Sequence, residues 1–84
     1  MNAEQKKTLV LIFEKPTRSD ISWQETVSLL LGIGAVMKEG KGSRVRFKRR
    51  DCSLHVHAPH PEKVISKDTA EAIRGFLTDI GVAP

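Results

Sequence analysis

Apolar and polar residues alternate along this chain with two different periods, and the change of period divides it. Residues 4 to 15 follow a helical spacing, with Leu9, Ile12 and Phe13 on one face and Pro16 as the stop. The run from Thr8 to Phe13 also fits a strand, and the pattern alone leaves that open. Pro16-Thr17-Arg18-Ser19-Asp20 is a connector of turn residues. A second helix begins at Ser22, where Ser22 and Glu25 have capping-box spacing. Trp23, Val27, Leu30, Leu31 and Gly34 then form its apolar stripe, with Gly34 as the C-terminal cap.

From Ala35 the period becomes two. Ala35 to Glu39 reads as a short strand and Gly40-Lys41-Gly42 as a turn. Ser43 to Arg49 alternates Val45 and Phe47 with Arg44, Arg46 and Lys48. Arg50-Asp51 turns the chain. Cys52, Leu54, Val56 and Ala58 then face one way, and Ser53, His55 and His57 the other. That turn places Arg46 opposite His55 and Arg44 opposite His57, within one register step of two residues. A last helix spans about Lys67 to Ile80, with Ala70, Ile73, Leu77 and Ile80 inward. Asp68 with Glu71 caps its start, Gly81 ends it, and Gly75 marks a close packing contact. The order is α-α-β-β-β-α, an α+β fold. Its three-stranded antiparallel meander has one face covered by helices and one face wet.

Composition narrows the function classes. Eighty-four residues make one domain, 1–84, too small for a deep cofactor pocket. One cysteine, Cys52, excludes an intrachain disulfide framework, and parity places it inward. The longest apolar run, Leu9 to Phe13, is far short of the ~20 residues of a membrane span. The expected compartment is cytoplasmic, with no membrane partner. The chain has 14 basic and 10 acidic residues. Lys38, Lys41, Arg44, Arg46, Lys48, Arg49 and Arg50 crowd into one stretch beside a single acid, Glu39. Arg44, Arg46 and Lys48 project about 7 Å apart, close to the phosphate spacing of an extended strand. The alternative is a solvated sheet face whose charge serves solubility and protects an edge.

Gly40-Lys41-Gly42-Ser43 lacks the Walker spacing and leads into a strand, so it is a hairpin rather than a nucleotide loop. Ser43 has no acid behind it for a triad. His55-x-His57, with His60 nearby, admits three uses: metal ligation, acid–base chemistry, or plain contact with RNA or solvent. Cationic neighbours and the missing carboxylate pair speak against a metal, and no cofactor is expected. Histidine exchanges protons near neutrality, which suits acid–base work.

At Gly42-Ser43-Arg44-Val45-Arg46-Phe47-Lys48 the chain resembles the HicA toxin family, and the likeness runs from Ser22 to Val82. It covers the helix Ser22–Ile33, the turn Gly42-Ser43-Arg44 and the strand Cys52–Ala58. It continues through the loop Pro59-His60-Pro61 and the helix Asp68–Ile80 with Gly81-Val82. Residues 22–82 are then a HicA-like core, and helix 4–15 is an addition. The resemblance implies a double-stranded-RNA-binding-domain-like α-β-β-β-α fold. It also implies an mRNA interferase of a type II toxin–antitoxin system, held in check by a HicB-type antitoxin. The family's catalytic histidine falls at Arg44. The catalytic candidates are therefore His57, His55 and His60, with Arg44, Arg46, Lys48, Lys41 and Ser43 binding RNA and no metal. The alternative is a non-catalytic RNA-binding or antitoxin-binding module of the same fold.

Overall fold

A sheet with only one covered face needs helices whose apolar stripes all turn toward it, and each helix here is secured by its own ends. The computed structural model describes residues 1–84. Its elements are α1 (Ala3–Phe13), α2 (Trp23–Gly32), β1 (Val36–Glu39), β2 (Arg44–Arg49), β3 (Cys52–His57) and α3 (Lys67–Asp79). The order α-α-β-β-β-α, the antiparallel pairing and the α+β class agree with the sequence reading.

The segment Thr8–Phe13 is helical. Helix α1 starts one residue earlier than its periodicity suggests, because Asn2 and Gln5 form a capping box. Asn2 Oδ1 accepts from the Gln5 amide at 2.8 Å, and Gln5 Oε1 accepts from the Asn2 amide at 3.0 Å. Gln5 Nε2 then donates to the Ser28 carbonyl at 2.9 Å, which ties α1 to α2. The helix ends at Phe13, two residues before Lys15. Glu14 is already extended, and Lys15 precedes Pro16, a position from which helical backbone is disfavoured.

Helix α2 is capped by Ser22, whose Oγ accepts from the Glu25 amide at 3.2 Å; the reciprocal bond of a capping box is not made. Its buried face differs from the expected stripe. Thr26, Leu29 and Leu30 are buried, Trp23 and Val27 are half-buried at the margin, and Leu31 is exposed. The face is rotated by roughly a quarter turn. The reason is Thr26: its hydroxyl donates to the Ser22 carbonyl at 2.7 Å, so its methyl enters the core without an unpaired polar atom.

Helices α2 and α3 end alike. The Gly34 amide donates to Leu31 and the Ala35 amide to Leu30; the Gly81 amide donates to Thr78 and the Val82 amide to Leu77. Both are Schellman motifs, and both put a glycine at positive φ, 92° at Gly34 and 80° at Gly81. The start of α3 departs from expectation. Ser66, not Asp68, is the cap, and its Oγ accepts from the Thr69 amide. Gly75 is exposed, with open space where a Cβ would lie, so it marks no packing contact. The close approach is at Gly32, against the Gln5 side chain of α1.

The core gathers Leu9 and Ile12 from α1, Leu29 and Leu30 from α2, and Ile73 and Leu77 from α3. These pack on Val45, Phe47, Leu54 and Val56 of the sheet. Trp23 meets Phe47 edge-on, with ring centroids 6.3 Å apart, so it serves the core as expected. Arg74 of α3 binds the end of α1. Its Nε donates to the Ile12 carbonyl at 3.1 Å, and its terminal nitrogen to Glu14 O and Thr17 Oγ1 at 3.2 and 3.0 Å. These carbonyls lie at the C-terminus of α1, where no intrahelical donor reaches. Arg74→Met should therefore cost about 2 kcal/mol, the scale of charged hydrogen bonds. That corresponds to a Tm lower by roughly 10 °C in a domain of this size. Thermal unfolding followed by circular dichroism checks this; an unchanged Tm means that α1 is held by its apolar face alone.

Candidate nucleic-acid interface

The alternation of β2 decides where its charges go. Val45 and Phe47 are buried beneath the helices, so Arg44, Arg46 and Lys48 stand on the opposite, uncovered face. The strand order β1-β2-β3 makes β2 the central strand. Its charges therefore do not guard an edge, which removes the edge-protection part of the alternative and leaves the solvated face. On β3, Leu54 and Val56 are buried while His55 and His57 are exposed on the same open face, and Cys52 packs half-buried against the core as parity requires.

The observed register pairs Arg44 with His57 and Arg46 with His55, as the short turn implied. The ladder bonds show which kind of pairs these are. The Ala58 amide donates to the Ser43 carbonyl at 2.7 Å, and the Gly40 amide to the Arg44 carbonyl at 2.8 Å. Arg44 and Arg46 thus direct their backbone groups toward β1, not β3. Arg44–His57 and Arg46–His55 are non-hydrogen-bonded pairs, the type with side chains closest together, Cα atoms about 4.5 Å apart. On the other side, Lys38 faces Arg46. A row Lys38–Arg46–His55 crosses the sheet, with Arg44–His57 beside it.

The cations of this face make no ion pair. The two ion pairs of the protein both belong to Arg18, which reaches Glu14 at 2.9 Å and Asp20 at 2.7 Å in the α1–α2 connector. The hydrogen bond from Arg18 holds the Asp20 carboxyl below its usual range. Glu39 sits opposite Val45 in the register, exposed at the end of β1 beside Lys38, and makes no ion pair with the basic stretch.

His55 and His57 form the ridge between two shallow depressions. The first, about 600 Å³, is bounded by Lys38, Glu39, Arg44, Arg46, His55 and His57. The second, about 770 Å³, lies between β3 and the start of α3, and His55, His57 and His60 all line it. His60 is exposed in the loop after β3, and the pairing of Ser22 with Val64 anchors that loop further along. Ser43 Oγ lies 3.3 Å from His57 Nδ1, a hydrogen bond that leaves Nε2 as the nitrogen open to a ligand.

Of the residues expected at the site, Arg44, Arg46, His55 and His57 come together, and His60 joins the histidines across the second depression. Ser43 enters through His57. Lys41 is exposed in the β1–β2 turn and borders neither depression, and Lys48 lies toward the other end of the face, beside Arg49 and Arg50. Sequence reasoning did not foresee the Ser43–His57 bond, although Ser43 continues the ladder opposite Ala58.

No helix is long and apolar enough to cross a membrane. No curated protein and no solved structure matches the chain. The profile of the family described as HicA toxin of bacterial toxin-antitoxin matches residues 23–82, from the first residue of α2 to the residue after the Gly81 cap, leaving α1 outside. With well over half of its length matched, and with the uncovered basic sheet in the matched part, the chain belongs to the HicA toxin family.

Proposed function

We propose that this toxin is an mRNA interferase: an endoribonuclease that needs no metal, acts in the cytoplasm and stops translation by cutting messages. The observation that carries this is the pair of close cross-strand contacts, Arg44–His57 and Arg46–His55, on a face whose cations make no ion pair. Positive groups at this spacing hold a phosphodiester, and an imidazole stands next to each. RNA carries its own nucleophile, the ribose 2′-hydroxyl. His57 Nε2 takes the proton from that hydroxyl, and the oxygen attacks the adjacent phosphorus. Arg44 and Arg46 stabilise the charge that builds on the pentacoordinate phosphorus. The bond to the 5′ oxygen breaks, and a protonated histidine supplies the proton that oxygen needs. His60, which lines the same depression as His57, suits this acid role, with His55 next to it. The products are a 2′,3′-cyclic phosphate and a free 5′-hydroxyl. For Nε2 to accept a proton, Nδ1 must carry one, and Ser43 Oγ is placed to accept it. A HicB-type antitoxin silences the toxin by covering this face with acidic or apolar groups.

One observation favours a second reading. Arg44 occupies the position that the resemblance assigns to the family's histidine, and a guanidinium does not act as a base. A protein that only binds RNA or antitoxin retains the basic face without cleavage.

Two measurements separate these readings. His57→Ala should lower the rate of RNA cleavage, assayed in excess chelator, by about 10²–10⁴-fold while RNA binding persists. A His55, His57 and His60 triple alanine variant that cleaves at the wild-type rate overturns the histidine mechanism. Replacing Arg44, Arg46 and Lys48 by alanine should leave the fold intact, since all three are exposed. It should make the log–log salt dependence of binding shallower by about 2, roughly 0.7 per phosphate contact on a single strand. A slope equal to wild type means that β2 does not touch phosphate.

A further inference from the structure

The basic stretch does not end at the histidines. Adjoining the first depression and sharing Lys38 and Arg46 with it, a further depression of about 440 Å³ runs toward the β2–β3 turn, bounded beyond them by Lys48, Arg49 and Arg50, with Val36 as its one apolar residue. None of these five cations makes an ion pair, and none of their side chains makes a hydrogen bond within the protein. By the parity of β2, Arg49 should follow Val45 and Phe47 inward. Instead it is half-exposed, and its Nε lies over the α2–β1 turn at Gly34. Arg50 holds positive φ, 56°, in the β2–β3 turn. Val36 stands opposite Lys48 on the open face and is 62% exposed, the most exposed large apolar side chain of the molecule.

Such a site combines unpaired cations with one bare β-branched surface. Its volume falls within the usual range of about 300–1,000 Å³ for small-ligand sites. A phosphate satisfies the cations, and the flat face of an unstacked base covers the valine. Resting on the RNA-cleavage reading, we infer that this depression is a second subsite, binding one flanking nucleotide of a single-stranded RNA whose scissile phosphate lies at Arg44 and His57. The two places are four residues apart on β2, about 13 Å, or roughly two steps of an extended strand at the 7 Å spacing of the basic side chains. The toxin thus takes a short single-stranded stretch laid along β2. A duplex keeps its bases stacked and denies one to Val36.

The test is binding of end-labelled 2′-O-methyl oligouridylates of two and eight nucleotides, which lack the nucleophile and are not cut, followed by fluorescence anisotropy, with inorganic polyphosphate as competitor. The dinucleotide has a single phosphodiester, held at Arg44 and His57, whereas the octamer reaches both subsites. The Arg49→Gln/Arg50→Gln variant should bind the dinucleotide as wild type does and the octamer about ten-fold more weakly. Its octamer salt slope should be shallower by about 1.4, for two lost contacts. Val36→Ser should weaken the octamer without changing the slope and without changing polyphosphate binding. An arginine variant that keeps the full octamer affinity overturns the subsite. So does a Val36→Ser protein indistinguishable from wild type, which makes the depression a plain cation patch. An oligoglutamate that displaces the octamer more effectively than polyphosphate of equal charge assigns the depression to an acidic protein partner and also overturns it. A wild-type protein that binds neither oligonucleotide overturns the RNA reading itself, a result distinct from the loss of length dependence alone.

Discussion

The alternation of one central strand governs most of this molecule. Val45 and Phe47 must be buried, because they form the middle of the only covered sheet face. With side chains reversing at every residue, Arg44, Arg46 and Lys48 are then forced out on the other side. A slip of one residue would put three cations under the helices and two large apolar groups in water. The register is thereby held by the strongest term available to a small domain, and the same term assembles the basic face. Folding and function are not separate demands on β2.

That arrangement works against stability on the open face. The seven cations from Lys38 to Arg50 make no ion pair, although Glu39 lies within the stretch and borders the first depression. Like charges held at cross-strand distances repel, and such repulsion falls with salt. The compensation lies on the far side of the sheet. Helix α1, outside the family match, adds Leu9 and Ile12 to the core and is fastened by Gln5 to α2 and by Arg74 to α3. A third helix enlarges the buried face without touching the site. The cationic face can then stay unpaired, and the proposed contact with RNA would relieve its repulsion.

What the sequence revealed follows from which physical terms are local. Strand parity and the two-residue turn at Arg50-Asp51 place Arg44 opposite His57 to within one register step of two residues, and the observed ladder has that pairing, because a short hairpin leaves little freedom of register. The inward face of α3 was equally plain from Ala70, Ile73 and Leu77. Helix α2 was not, because a buried threonine counts as polar until its back-bond to Ser22 is seen. The caps at Asn2 and Ser66 were missed for a related reason. Both residues lie just outside the apolar pattern, where periodicity has nothing to say. Arg49 escaped because parity places it in the core, and only the end of a strand lets a long side chain turn out to water.

In the proposed mechanism an arginine acts at position 44, where the resemblance puts the family's histidine. A guanidinium keeps its charge at every accessible pH and presents a planar set of donors to a phosphate. It would supply the electrostatic part of a catalytic site and not the proton-accepting part. Across the ladder, in the closest kind of antiparallel pair, stands His57. On the proposed mechanism the base is then on β3 rather than β2, one strand away and on the same open face. The imidazole there lies next to Ser43, which can fix its tautomer, and next to the depression that His60 shares. Charge and base are thus divided, in the proposed mechanism, between two residues, each with one task.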